Sequence, residues 1–244
     1  MKHKIIIGLV MAPLMIPSAF AAIALDRTRV VFDGGQKSIS LSVSNENKQL
    51  PYLAQAWIDD EKGNKINSPL TVLPPVQRIE PGAQSQIKVQ SIGADKNLPQ
   101  DRESLYYFNL REIPPRSDKP NTLQIALQTR VKLFYRPAAL LVSSNSLPWQ
   151  EKITLTRNGD RYVVNNPTPY YVTLVDARSG LNGTTVKDFD AVMIAPKSQA
   201  PLGGSASALG NAPVVTYIND YGGRPQLKFN CSGSTCQATA VKEK

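Results

Sequence analysis

The chain has 244 residues, with 28 Lys and Arg against 19 Asp and Glu, a net charge of +9 and a single histidine. That histidine, His3, lies in a predicted signal peptide, so the mature chain excludes histidine-dependent catalytic triads and histidine metal sites. The basic residues are scattered and form no Lys/Arg run, which argues against nucleic acid as a partner.

The first 21 residues are typical of a secretory signal peptide. A basic start precedes an apolar run over residues 5–16, and Ala19-x-Ala21 predicts cleavage after Ala21. The apolar run is too short for a membrane span. Cleavage leaves 26 basic and 19 acidic residues, a net charge of +7. We therefore predict a mature protein outside the cytoplasm.

The mature length suits two domains of about 110 residues each, and the 19 prolines without helical periodicity predict an all-β chain. In the first domain, residues 22–137, Trp57 is expected in the core, and the Pro-broken stretch 70–79 is expected to cross between sheets. Strands are predicted over residues 24–32, 37–44, 52–58, 70–75, 76–79, 84–90, 105–113 and 123–137. This spacing is typical of an immunoglobulin-like sandwich.

The last of these strands, residues 123–137, has two unlike faces. Apolar Leu123, Ile125, Leu127, Val131 and Leu133 alternate with polar or small residues, as in a strand with one buried face. Two interpretations stay open from the residues alone. The segment is either an ordinary core strand or an edge that offers its backbone to another chain.

The second domain, residues 138–244, is predicted to be a second sandwich with less regular strands. Residues 203–211, rich in Gly, Ala and Ser, predict a mobile loop. Cys231 and Cys236, the only cysteines, are expected to pair in an oxidising compartment and to staple a hairpin, worth roughly 2 kcal/mol. The predicted strands cover residues 152–156, 160–165, 171–177, 190–194, 213–219 and 226–231.

Seven segments of the chain carry a specific resemblance. They are LDRTR at 25–29, LPYLAQAW at 50–57, LPQDRES at 98–104, YFNLREIPP at 107–115, LFYRP at 133–137, NPTPYY at 166–171 and YINDYGGRP at 217–225. Together these segments resemble one family, the PapD-like periplasmic chaperones of pilus assembly. The short loop 116–120 resembles the branch of the family that serves rod-like, adhesin-tipped pili.

The resemblance implies a fold, partners and a mechanism. It implies two immunoglobulin-like domains set as an L, and a chaperone of the periplasm that needs no cofactor. The expected partners are pilin subunits, including a tip adhesin, and an outer-membrane usher. Leu123, Ile125 and Leu127 would enter the open groove of a subunit as the anchors of a donated strand.

The resemblance also assigns two sets of charged residues. Arg29 and Lys132 match the pair that holds the C-terminal carboxylate of the subunit, while Glu103, Arg136 and Asp220 match a charge network between the domains. Lys132 and Leu127 have opposite parity along the strand. Either a twist or bulge near Thr129 brings them together, or the anchors and the cation pair lie on opposite sides.

Other functions were weighed from the residues. No histidine and no nucleophile elbow occur in the mature chain, and the adjacent Asp59 and Asp60 are expected to be solvated, so no enzyme is predicted. The alternative function is a secreted immunoglobulin-like adhesion or carbohydrate-binding module, although only Trp57 and Trp149 supply the large aromatics that sugars stack on. Self-association of the free chain stays open.

Overall fold

The computed structural model describes residues 21–143 and 146–241. The predicted signal peptide lies outside these residues except for Ala21. None of the helices in the described ranges is both long and apolar enough to cross a bilayer. Besides two 3-10 turns (Ala138–Leu140 and Trp149–Lys152), they are two single-turn α-helices, α1 (Ala94–Asn97) and α2 (Ala206–Leu209). The predicted all-β class is confirmed.

The first half of the chain folds into two packed sheets. The strands are β1 (Ile23–Leu25), β2 (Arg29–Asp33), β3 (Ser38–Asn45), β4 (Tyr52–Asp59), β5 (Lys65–Ile66), β6 (Leu70–Leu73), β7 (Val76–Ile79), β8 (Gln84–Ser91), β9 (Ser104–Ile113) and β10 (Gln128–Arg136). One sheet has the strand order β1-β3-β8-β6, and the other has the order β2-β10-β9-β4-β5 with β7 paired to β4. Alternate apolar side chains, among them Phe32, Leu41, Ile87, Phe108 and Leu133, fill the space between the two sheets.

Two segments of this domain change sheets. The predicted strand 24–32 is wrong as a single strand, because β1 pairs with β3 whereas β2 pairs with β10 in the other sheet. The exposed polar residues 26–28 carry the chain across. The predicted crossing at Pro74-Pro75 is confirmed, since β6 pairs with β8 and β7 with β4.

Trp57 is not a core residue, contrary to the prediction. It lies half-buried on the outer face of β4, where its indole nitrogen donates a hydrogen bond to Asp59 Oδ1 at 2.9 Å. The guanidinium of Arg111 stands 5.5 Å from the ring centroid. Its two neighbours in the strand, Ala56 and Ile58, are buried in the core. Since successive side chains of a strand point to opposite faces, the indole lies on the outer face.

The strand predicted over 123–137 is too long. β10 begins at Gln128, which is paired with Arg111 of β9, and the bond from Glu112 N–H to Leu127 C=O at 3.0 Å is the last contact of that ladder. Beyond Ile113 the chain continues with Pro114 and Pro115, which have no N–H to donate. Residues 123–126 therefore lack a strand partner within the described chain.

The second half forms one eight-stranded sheet that folds around its own core. The strands are β11 (Thr154–Asn158), β12 (Arg161–Asn166), β13 (Val172–Arg178), β14 (Val192–Ile194), β15 (Ser198–Pro201), β16 (Val214–Tyr217), β17 (Gln226–Ser232) and β18 (Thr235–Ala240). Their order in the sheet is β14-β13-β16-β17-β18-β11-β12-β15, and the sequence does not predict β15 or β18.

The loop 203–211, predicted to be mobile, contains α2. This helix buries Ala206 and Leu209 and is capped by the Ser205 side chain.

The predicted disulfide is confirmed between Cys231 and Cys236, which face each other on β17 and β18. It links the two strands of the β17–β18 hairpin, which lies in the middle of this sheet. The domain limits at residues 21/22 and 137/138 and the L-shaped arrangement stay predictions.

Candidate functional site

Two cations lie opposite each other where β2 and β10 run in parallel. Arg29 and Lys132 are register partners, and both are half-buried on the face of the sheet that looks away from the core. Arg29 Nη1 donates a hydrogen bond to the carbonyl of Ile218 in the second domain at 3.2 Å, and its guanidinium stands 5.8 Å from the Phe134 ring. Arg29 Nε is buried without a hydrogen-bond partner among the described residues.

The electrostatics of the pair favour an anion. Burial lowers the pKa of Lys132 below 10.5, and the neighbouring charge of Arg29 lowers it further. Burial also lowers the pKa of Arg29, although Asp220 and Glu103 partly oppose that shift. Within the described chain, no carboxylate forms an ion pair with Arg29 or Lys132. A carboxylate from outside the chain would offset the repulsion and satisfy the free Arg29 Nε.

The surface beside Arg29 is concave. Arg29 lines a cavity of about 300 Å³ together with Asp26, Thr28, Asp220 and Tyr221. Tyr221 is exposed over 93% of its surface and the cavity opens between the two domains. Lys132 does not line this cavity, and two of the lining side chains are carboxylates, so the cavity lies beside the cation pair and does not contain it.

The segment 123–127 presents bare apolar side chains. Leu123, Ile125 and Leu127 are 83%, 62% and 45% exposed. The pairing of β10 with β9 is regular from Gln128 to Tyr135, so no bulge lies at Thr129. A straight continuation of β10 would carry these side chains on the core side, opposite to Lys132.

One edge of β10 is open next to this segment. β2 pairs only with residues from Lys132 to Arg136, which leaves Gln128 to Val131 without a strand on that side in the described structure. An apolar recess of about 660 Å³ lies beside this edge, lined by Ile23, Leu25, Thr129 and Val131 among others. The open backbone groups and the recess together suit an added β-strand.

The structure brings Glu103, Arg136 and Asp220 together between the domains. Arg136 Nε donates to Glu103 Oε1 at 2.8 Å, and its two terminal nitrogens donate to the carboxylate of Asp220 at 2.7 and 3.0 Å. Burial alone would lower the pKa of Arg136, but hydrogen bonding to Asp220 and the charge of Glu103 raise it, so the guanidinium stays charged. The role of this network in setting the domain orientation stays a prediction.

The second domain supplies partners to this network that sequence reasoning missed. Tyr171 N–H donates to Glu103 Oε2 at 2.7 Å, and the Arg136 guanidinium stacks 4.9 Å from the Trp149 ring and 5.1 Å from the Tyr170 ring. The sequence marks the NPTPYY segment only through the family resemblance. Its side-chain roles depend on contacts between residues far apart in the chain, which no local pattern indicates.

Two family models match the chain. The N-terminal domain of the pili and flagellar-assembly chaperone PapD matches residues 22–141, and the C-terminal domain of the pili assembly chaperone PapD matches residues 148–229. The chain belongs to the PapD-like family of pilus assembly chaperones.

Relatives of this chaperone share most of its length. It is 54% identical over 220 residues to the probable fimbrial chaperone YfcS of Escherichia coli K12, covering 90% of this chain and 87% of YfcS. It is 52% identical over 229 residues to the chaperone PapD of Escherichia coli, covering 93% of this chain and 94% of PapD. In a solved complex of the Salmonella enterica SafA pilin with the SafB chaperone, the matched chain shares the fold at 24% identity, with a TM-score of 0.68 and coverage of 92% and 99%.

The described residues of the chaperone contain no group of three His, Cys, Asp or Glu side chains placed to hold a metal ion. The chemistry that the geometry does offer is recognition of a β-strand and of an anion.

Proposed function

We propose that this pilus assembly chaperone holds a pilin subunit by lending it residues 123–127 as a β-strand while Arg29 and Lys132 bind the C-terminal carboxylate of that subunit. The observation that carries the proposal is the exposure of Leu123, Ile125 and Leu127 directly before a strand whose edge is open. Three alternating apolar side chains on an extended segment are suited to a groove that lacks one strand.

The strand and the cation pair have complementary tasks. Burying each of the three side chains in a subunit groove contributes roughly 1.5–3 kcal/mol, and the backbone ladder adds to this. A carboxylate fixed at Arg29 and Lys132 sets the register, because a slip by one residue would turn every anchor to the wrong face. The carboxylate also fills the cationic site in which burial and the charge of Arg29 lower the pKa of Lys132.

The proposed function also includes a cellular location and the delivery of the bound subunit. The chaperone works in the periplasm after signal cleavage and delivers subunits, including a tip adhesin, to an outer-membrane usher. Release follows when the strand of the next subunit replaces residues 123–127 in the groove, since the sequence offers no nucleotide-binding loop. A fold of this kind is compatible with subunit binding, as the SafA–SafB complex illustrates for that pair.

The proposal is tested by capture from the periplasm. Tagged wild type, Lys132→Ala and a control, Lys88→Ala, are isolated from cells that express the pilus operon, and bound proteins are identified by mass spectrometry. Lys88 is an exposed lysine on β8 and is expected to be dispensable. Wild type and Lys88→Ala should retain pilin subunits, whereas Lys132→Ala should lose them while remaining folded.

Retention of subunits by Lys132→Ala would refute the proposal that Lys132 binds the carboxylate of the subunit. Failure of the wild type to retain any subunit would overturn the proposed function and leave the adhesion-module alternative, for which a glycan-binding screen is the next measurement.

A further inference from the structure

A carboxylate is buried at the end of the first sandwich on the core side of β9. Phe108, Leu110 and Glu112 follow one another at alternate positions, and the first two belong to the hydrophobic core. Glu112 is only 6% exposed. A buried carboxylate is costly unless a cation or several donors neutralise it.

The contacts that Glu112 makes within the described chain do not supply that charge. Its side chain accepts one hydrogen bond, from the backbone N–H of Ile23 at 2.9 Å, and no Lys or Arg forms an ion pair with it in the described ranges. Arg27, four residues after Ile23, is ion-paired with Asp26 at 2.6 Å. The carboxylate therefore has capacity left for a cationic donor.

The start of the mature chain lies at this position. Ala22 is 8% exposed, and its carbonyl accepts a hydrogen bond from Glu46 N–H at 2.7 Å. Ala22 is thus fixed on both sides, because the amide of the next residue donates to Glu112. Covalent geometry keeps the backbone nitrogens of Ala22 and Ile23 within about 3.7 Å of each other. The N-terminal family match also begins at residue 22.

We propose that Glu112 is the binding site for the α-ammonium group that signal cleavage creates on Ala22. Hydrolysis of the Ala21–Ala22 bond by a signal peptidase consumes one water, leaves a carboxylate on Ala21 and leaves an amine on Ala22, which takes up a proton. In the precursor the same nitrogen is a neutral amide. Processing therefore supplies the buried carboxylate with its cation, in a pairing that depends on cleavage after Ala21.

The ion pair connects the chain start to the segment that precedes β10. The backbone N–H of Glu112 donates to the carbonyl of Leu127 at 3.0 Å, so the residue that holds the amino terminus also holds the beginning of β10. The precursor has the same fold without this charge pair. Its first strand is consequently attached less firmly than that of the mature protein.

The direct test is the pKa of the α-amino group in the mature protein. Protein labelled with ¹⁵N-alanine is purified from the periplasm, its amino terminus is verified by mass spectrometry, and the α-amino signal is titrated by NMR. A neighbouring carboxylate should raise this pKa by about 1–3 units above the ordinary range of about 7.7–8.0. A value inside the ordinary range would overturn the proposal even if no variant folds.

A thermodynamic cycle gives an independent test. Wild type, Glu112→Gln and the control Glu46→Gln are each made with Ala22 as the free terminus and with Ala21 retained in front of it. Glu46 is the control because its carboxylate is exposed and already accepts a bond from Ser44 Oγ at 2.6 Å. Retaining Ala21 should lower the melting temperature by roughly 3–10 °C in wild type and Glu46→Gln but leave Glu112→Gln unchanged. An equal loss in all three would show that Ala21 acts sterically, without pairing to Glu112.

Discussion

The charge of Lys132 destabilises the folded chaperone when no subunit is bound. It lies half-buried opposite Arg29, and both effects disfavour its protonated form, which is why its pKa falls below 10.5. A residue whose folded pKa is lowered in this way destabilises the folded state at neutral pH. The penalty disappears as the pH rises through the lowered pKa towards 10.5.

Replacing this lysine by a neutral side chain of similar length should therefore stabilise the free protein. Lys132→Met is expected to have a higher melting temperature than wild type at pH 7, and the difference should shrink as the pH approaches 10.5. Thermal denaturation followed by circular dichroism across pH 7–10 measures this, with Lys88→Met as the exposed control. A loss of stability in Lys132→Met at pH 7 would mean that the lysine supports the fold.

Subunit binding should follow the opposite trend with pH. The carboxylate of the subunit is charged throughout this range, so affinity depends on the protonated fraction of Lys132. We expect affinity for a peptide with the C-terminal sequence of a pilin to fall as the pH rises through the lowered pKa, and Lys132→Met to lack this dependence.

The sequence alone, without the family resemblance, does not distinguish Arg29 and Lys132 from ordinary surface charges. The two residues are distant in sequence, and only the parallel pairing of β2 with β10 brings them together.

The segment 123–127 shows what alternation can and cannot predict at the scale of an element. The pattern correctly predicts side chains suited to a strand with one buried face. It does not specify which chain supplies the neighbouring strand. Within this chain, Pro114 and Pro115 end the ladder of β9, so residues 123–126 are left unpaired although they read as part of the strand. Because alternation does not specify the pairing partner, β1 and β2 also read as one strand although they belong to different sheets.

A charge placed in this segment should affect binding but not folding. Ile125→Asp is expected to weaken subunit binding by about 10- to 100-fold or more, since it removes an anchor and puts a carboxylate into an apolar groove. The Ile125 side chain is 62% exposed in the free protein, so the melting temperature should not change. Leu181→Asp, at a 47% exposed position in the second domain, is the matched control. Calorimetric titration with the subunit measures both affinities. Equal affinity of the two variants would refute strand donation.

At the scale of the whole molecule, the ion pairs that join the two sandwiches are of two kinds, buried and exposed. The Arg136 network is buried, with the side chains of Arg136, Glu103 and Asp220 exposed over 6%, 2% and 25% of their surfaces. Lys197 and Asp101 form a second ion pair between the domains at 2.7 Å, but both are about half exposed. Exposed pairs of this kind contribute about 0–1 kcal/mol, whereas removing one partner of a buried pair leaves an uncompensated charge.

Removal of Asp220 should therefore loosen the junction while each sandwich keeps its own core. In Asp220→Ala, Arg136 retains Glu103 but loses its bidentate link to the second domain, a loss of about 1.5–3 kcal/mol for charged hydrogen bonds. We expect a larger radius of gyration by X-ray scattering and separate unfolding transitions for the two sandwiches in calorimetry. Subunit binding should also weaken, because Arg29 is held in part by its hydrogen bond to the Ile218 carbonyl of the second domain. Asp101→Ala, which removes the exposed pair, should behave as wild type in all three measurements. If both variants scatter alike and unfold in one transition, the domain orientation is set by the linker and by apolar contacts, and the charge network has no orienting role.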